Sequence, residues 1–320
     1  MFKLFANIFD RLDSDKKSEL PEWLIKEATE RALDGTDPRM RILSGYAKTL
    51  RKPVIHAVTH VISLIDSLPP PEPVSRSDLA AHPDLAAVFY SGDRLARILS
   101  RDPAIVAYRN TEPAIVEPVS ALLTVREKTK QKFGTALVDG KARRDVAQTT
   151  LSFSEHKLMD PSSSLETTDR LVKRRAFDVL LAIALLHITE RQEEREHLLQ
   201  RKALLRAKLD IVRRQGGFRE DHAGDQREAQ QRRMEEIETR LDELGPDHSV
   251  LPRNLDVVAE VLGQAERHLW LQDVSFCVDR YYVLRKPGGK VAEIPFKAIH
   301  ASNEDHVLLR MVSLAPELLS

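Results

Sequence analysis

From Phe177 onward, apolar residues recur four and three positions apart at Phe177, Leu181, Ala184, Ile188, Leu198, Leu205, Leu209 and Val212, while Arg191, Arg195 and Lys202 occupy the same register in the middle. That spacing runs down one side of an α-helix and makes a heptad seam with polar interruptions. The glycine-bearing polar segment 216–225 breaks the pattern before Met234, Ile237, Leu241 and Leu244 resume it. A third run follows at Leu255, Val258, Leu262, Ala265 and Leu269. Two apolar stripes flanking one short loop bury each other by folding back, because closing a short loop costs little. The pattern predicts a long antiparallel, coiled-coil-like helical hairpin over 163–272, its tip near 216–225 at Phe218 and its outgoing arm roughly 70 Å long.

Ahead of the hairpin, 1–110 reads as a helical region. Phe2, Phe5, Phe9 and Leu12 fall on one side of a short amphipathic helix. Pro21 starts a helix to about Leu33, Asp37-Pro38 starts a second to about Leu50, and Pro53 starts a third. The prolines at 69–71 and 73 predict a stiff spacer and a boundary. Short helices follow near 77–81, 83–90, 92–99 and 103–108, with Ser91 and Asp102 placed to cap the last two.

The period changes at Val116. β-Branched and aromatic residues begin to alternate with polar ones, and Asp139-Gly140 between two such runs predicts a hairpin turn. Ser163 and Glu166 have the spacing of a capping box at the start of the long helix. Strand patterns return near 274–278, 281–284, 291–296 and 307–312. Neither strand group suffices for a stable sheet alone. The expected fold is therefore mainly α with a small β-sheet (α+β): one composite, antiparallel-rich sheet from 116–157 plus 274–314, with the helical hairpin inserted into it.

Composition narrows the class. The chain of 320 residues carries 31% charged and only 5% aromatic residues, the bias of long solvated helices. With 49 basic and 49 acidic residues, global charge selects neither nucleic acid nor an anionic membrane. One cysteine, Cys277, excludes an internal disulfide and suits a reducing, cytoplasmic setting. Asp10, Arg11 and Asp13 interrupt the first apolar run too early for a secretion signal, and 176–188 is too short for a transmembrane segment.

Candidate chemistry is sparse. Dinucleotide, phosphate-loop and Gly-x-Ser-x-Gly signatures are missing, so no catalytic set and no cofactor are expected. His56 and His60 have the i, i+4 spacing of two metal ligands but no general base between them, and read as solvated histidines on the polar side of their helix. Ser152, Ser154, Glu155 and His156 place a hydroxyl, a carboxylate and an imidazole close together, a weak hydrolase-like pattern because strand neighbours point to opposite faces. Arg126, Lys128, Lys130 and Lys132 alternate, and Lys141, Arg143 and Arg144 follow across the turn. On a strand that alternation makes a basic strip, which either tracks a phosphate backbone or guards an exposed edge. Arg191, Arg195 and Lys202 on the seam need acidic partners on the return arm, or they mark where a partner helix docks. The function expected first is a non-enzymatic scaffold or adaptor that binds a protein partner through the hairpin, or a second copy in a homodimer. A nucleic-acid-associated protein using the basic strip is the alternative, and a hydrolase-like enzyme a second alternative.

Overall fold

The computed structural model describes residues 20–112, 115–138, 141–215, 223–245, 249–286, 291–302 and 304–319. Among them the chain is mixed α+β, with nine α-helices and a six-stranded sheet. It forms two compact units. One comprises Ala57–Val179 and Ala265–Ser320, the other Glu19–His56 and Leu180–Gln264.

The first unit is built on the sheet. β1 (Glu72–Val74), β2 (Val119–Val138), β3 (Lys141–Ser162), β4 (Leu269–Val278), β5 (Ala292–Ala301) and β6 (Glu304–Leu314) take the order β3-β2-β6-β5-β4. Neighbours on that path are antiparallel. β1 instead runs parallel to β6, from Glu72↔Val312 to Val74↔Leu314, beyond the stretch of β6 that pairs with β5. Pro73 is accommodated because so short an edge strand can forgo one N–H. Hence the proline run at 69–73 does not remain a spacer to its end; its last two positions enter the sheet.

α3 (Pro83–Phe89), α4 (Gly92–Leu99) and α5 (Pro103–Thr111) cover one face. Their Leu85, Val88, Phe89, Leu95, Leu99 and Ile105 join a core with Leu123, Val125, Leu308 and Val312 from the strands. Ser91 Oγ accepts from the Arg94 N–H (3.3 Å), and Asp102 Oδ1 from the Ala104 N–H (2.8 Å), so both residues cap as their spacing predicts. Asp102 also reaches outside its helix: its Oδ2 accepts from the Leu158 N–H of β3 at 2.9 Å.

β3 is interrupted three times. At each bulge an acidic residue sits in the left-handed region, Asp145 (φ 59°), Glu155 (φ 55°) and Asp160 (φ 52°). Each extra residue re-phases the alternation of side chains. Simple alternation therefore underestimates the strand, which runs 22 residues.

Two expectations are corrected, and a third falls outside the described residues. The helices expected to end near Leu50 and to begin at Pro53 are one helix, α2 (Tyr46–Asp66), with Pro53 inside it. Leu50, Val54, Ala57, Val58 and Val61 on both sides of the proline form one buried stripe, whose packing outweighs a single lost N–H donor. The break falls earlier, at the 3-10 turn Pro38–Ile42 and at Gly45, whose φ of +88° needs glycine. The N-cap of the long helix is Ser164, not Ser163: its Oγ accepts from the Thr167 N–H (3.4 Å), so Glu166 is out of step for a capping box. The amphipathic helix expected around Phe2 to Leu12 lies outside the described residues.

The second unit is helical. α1 (Glu22–Asp34), the 3-10 turn and α8 (Val250–Gly263) meet at Asp37, which caps the turn through the Arg39 N–H (3.1 Å) and accepts from Asn254 Nδ2 (3.2 Å). Hydrogen bonds from Arg39 hold the Asp37 carboxyl below the usual carboxylate range. α6 (Leu165–Gln215) contributes its residues from Leu180 onward, and α7 (Ala223–Leu244) packs on it through Leu205, Met234, Ile237 and Leu241, with Leu198 and Leu209 at the margin. α9 (Ala265–His268) leads into β4 in the first unit.

Candidate functional site

The seam cations of α6 are engaged by α7. Lys202 Nζ lies 2.8 Å from Glu238 Oε1, and Arg206 shares that carboxylate at 3.4 Å. The hydrogen bond from Lys202 holds the Glu238 carboxyl below its ordinary range. Arg195 Nη1 donates to the Gly245 carbonyl (3.1 Å). Gly245 ends α7 at φ +86°, a left-handed conformation that favours glycine. Glu194, one turn before Leu198, pairs with Arg240 at 2.7 Å. These contacts fix the register of α7 against α6. Of the residues expected to meet a partner, Arg195 and Lys202 thus have partners within the chain, Arg191 is exposed, and Phe218 lies outside the described residues.

The other side of α6 is different. Leu186 (40%), Leu204 (57%) and Ile211 (53%) are exposed large apolar residues. At about 100° per residue they lie some 100–140° around the helix from Leu198 and Leu205, on a side turned away from α7.

The basic strip is a strand, and its register is explicit. Arg126, Lys128, Lys130 and Lys132 stand opposite Ser154, Ser152, Thr150 and Gln148 of β3. β2 pairs with β6 only as far as Val125, so these cations lie on a ribbon that leaves the body of the sheet. Lys128, Lys130 and Lys132 are exposed. Ser152 and Thr150 turn their hydroxyls onto the carbonyls of Lys128 and Lys130, each at 3.1 Å, which keeps the neighbouring row short. The bulge at Asp145 sets Arg143 opposite Ala136, on the side shared by the even-numbered positions of β2. Arg144 is exposed beside it, and the side chain of Lys141 lies outside the described ones.

One acidic residue intrudes. The bulge at Glu155 carries its carboxylate to the basic side, 3.3 Å from Arg126 Nε and 3.6 Å from Lys128 Nζ. Strict alternation would have put it on the core side.

The hydrolase-like constellation does not assemble. Glu155 faces the cations, and Ser152 is turned onto β2. His156 packs on Phe89 (ring centroids 5.0 Å apart) with its Nε2 buried and unbonded among the described residues. Burial, followed by the nearby Arg94 charge, pushes the His156 pKa below its ordinary value despite a hydrogen bond with the Val88 backbone. His60 is corrected as well: it is half-buried, and its Nε2 lies 2.7 Å from the Leu269 carbonyl, whereas His56 is exposed. No group of three or more candidate metal ligands occurs among the described residues.

Register also creates a row that sequence spacing did not show. Trp270 of β4 stacks on His300 of β5 (5.2 Å, 6°), His300 stacks on His306 of β6 (4.9 Å), and His306 Nε2 lies 2.5 Å from Glu127 Oε1 of β2. Burial and then the charge of His306 push the His300 pKa down. Four strands supply these residues, and only their pairing joins them.

No helix among the described residues is long and apolar enough to cross a membrane. Comparison with protein-family models, characterised proteins and solved structures returned no match.

Proposed function

We propose that the chain is a non-enzymatic scaffold or adaptor that captures a protein partner along the outer side of α6. In this reading α6 and α7 form an antiparallel, coiled-coil-like hairpin inserted between the strand groups. The hydrophobic contacts of Leu205 with Met234, Ile237 and Leu241, and the pairs Lys202–Glu238 and Glu194–Arg240, support it. The observation that carries the function is the exposed pair Leu204 and Ile211, two turns apart and facing away from α7. Apolar residues at that interval are what an amphipathic partner helix covers. A second copy of the chain would cover them too, which makes the homodimer a variant of the same reading.

The test is a photo-crosslinker placed at Leu204 in the full chain. It should yield discrete protein adducts that vanish when Leu204 and Ile211 are changed to Glu. Adducts that persist in that variant, or none at all, would overturn the proposal, and an adduct of twice the chain mass would identify the second copy.

A further inference from the structure

We propose that the cationic side of the β2–β3 ribbon is a docking surface for duplex nucleic acid. The alternative it must beat is that lysines merely guard a free edge. One charge is enough to stop another strand from pairing. Here four alternate along β2, and the left-handed bulge at Asp145 adds Arg143 to the same side from β3.

The dimensions suit a duplex. At about 3.4 Å per residue, the stretch from Arg126 to Ala136, which faces Arg143, covers about 34 Å, roughly one turn of B-form DNA. Past the Thr150–Val283 bridge the ribbon has no further strand beside it among the described residues. A two-stranded ribbon twists strongly and is admitted by the major groove, about 12 Å wide. Single-stranded nucleic acid suits it less. Base stacking needs aromatic rings on the binding side, and the even-numbered positions of β2 with their β3 partners offer none. Phe133, 77% exposed, belongs to the opposite side. An anionic membrane suits it less as well, because a single file of cations on a narrow ribbon lacks the apolar residues that hold a protein in a lipid surface.

Glu155 supplies an internal check. Its carboxylate engages Arg126 and Lys128 on the same surface. A phosphate backbone must displace it, so removing its charge strengthens binding. A row of lysines with a purely structural role would give no such response.

The experiment is fluorescence anisotropy of a labelled 20-base-pair duplex with the full chain. Four neutralised phosphates imply a loss of roughly 150-fold in affinity between 50 and 200 mM salt. Lys130→Gln with Lys132→Gln should weaken binding and lower the salt slope by about two phosphates' worth, while Glu155→Gln should tighten it. All three substitutions lie on exposed ribbon positions, and circular dichroism verifies the fold. The α6 variant Leu204→Glu with Ile211→Glu should bind the duplex normally, which keeps this inference separable from the adaptor reading. Absent binding at 50 mM salt, indifference to the lysine changes, or weaker binding by Glu155→Gln would each overturn it. So would tighter binding of a 20-nucleotide single strand, or capture by phosphatidylserine vesicles but not by the duplex.

Discussion

Ile237→Ala tests whether α7 is held to α6 by its small apolar cluster. Ile237 is 5% exposed and packs with Leu205, Met234 and Leu241. The substitution strips three carbons, about 2.4 kcal/mol at about 0.8 kcal/mol per buried methylene. The cavity left behind adds to that, giving about 3 kcal/mol, within the range of roughly 2–5 kcal/mol for large-to-alanine changes in cores. So small a cluster has little capacity to share the loss. Hydrogen exchange read by mass spectrometry should show the amides of α7 exchanging on the order of 100-fold faster, with the strands of the sheet unaffected. Leu204→Ala is the control: at 57% exposure it should change protection by less than about 0.5 kcal/mol. Equal effects from the two substitutions, or an unchanged α7, would refute the idea that this cluster holds the helix.

Two further outcomes are expected. Asp102→Ala removes the α5 cap and strands the Leu158 N–H in the core, so urea unfolding should show a loss of about 2–4 kcal/mol; a loss below about 1 kcal/mol would mean that water replaces the second bond. Burial lowers the folded-state pKa of His156 and His300. The unfolded chain then binds protons first, and stability present above about pH 6.5 should decline as the pH falls from there through the lower folded values. Changing both histidines to Gln should flatten that part of the urea-midpoint profile between pH 8 and 5, and an unaltered slope would contradict the burial argument.

Local signals were legible where they act locally. Ser91 and Asp102 stand directly before a helix and cap it, as their residue types and positions predict. The mixed α+β class follows from the change of period near Val116. What the chain hides is action at a distance. The bond from Leu158 to Asp102 spans 56 positions, and nothing near Asp102 announces it. Pro53 misled because a proline usually marks a boundary, whereas the buried stripe through Leu50 and Val54 decides the matter. The cationic alternation on β2 was legible from spacing alone. The arrival of Glu155 among those cations was not, since a left-handed bulge reverses the face that alternation assigns. The row Trp270, His300, His306 and Glu127 needs the register of four strands, which no single window contains.

β6 is the last strand of the sheet in chain order and sits at its middle, paired with β2 on one side and with β5 and then β1 on the other. During synthesis β2 emerges about 180 residues before β6, an interval on the order of ten to forty seconds at ribosomal speed. The β2–β3 ribbon and the helices after it can form in that time, but the edge of β2 at Val119 to Val125 must wait exposed. A nascent chain stalled before Glu304 would therefore present an apolar, unpaired strand edge, the kind of surface on which strands of other chains pair.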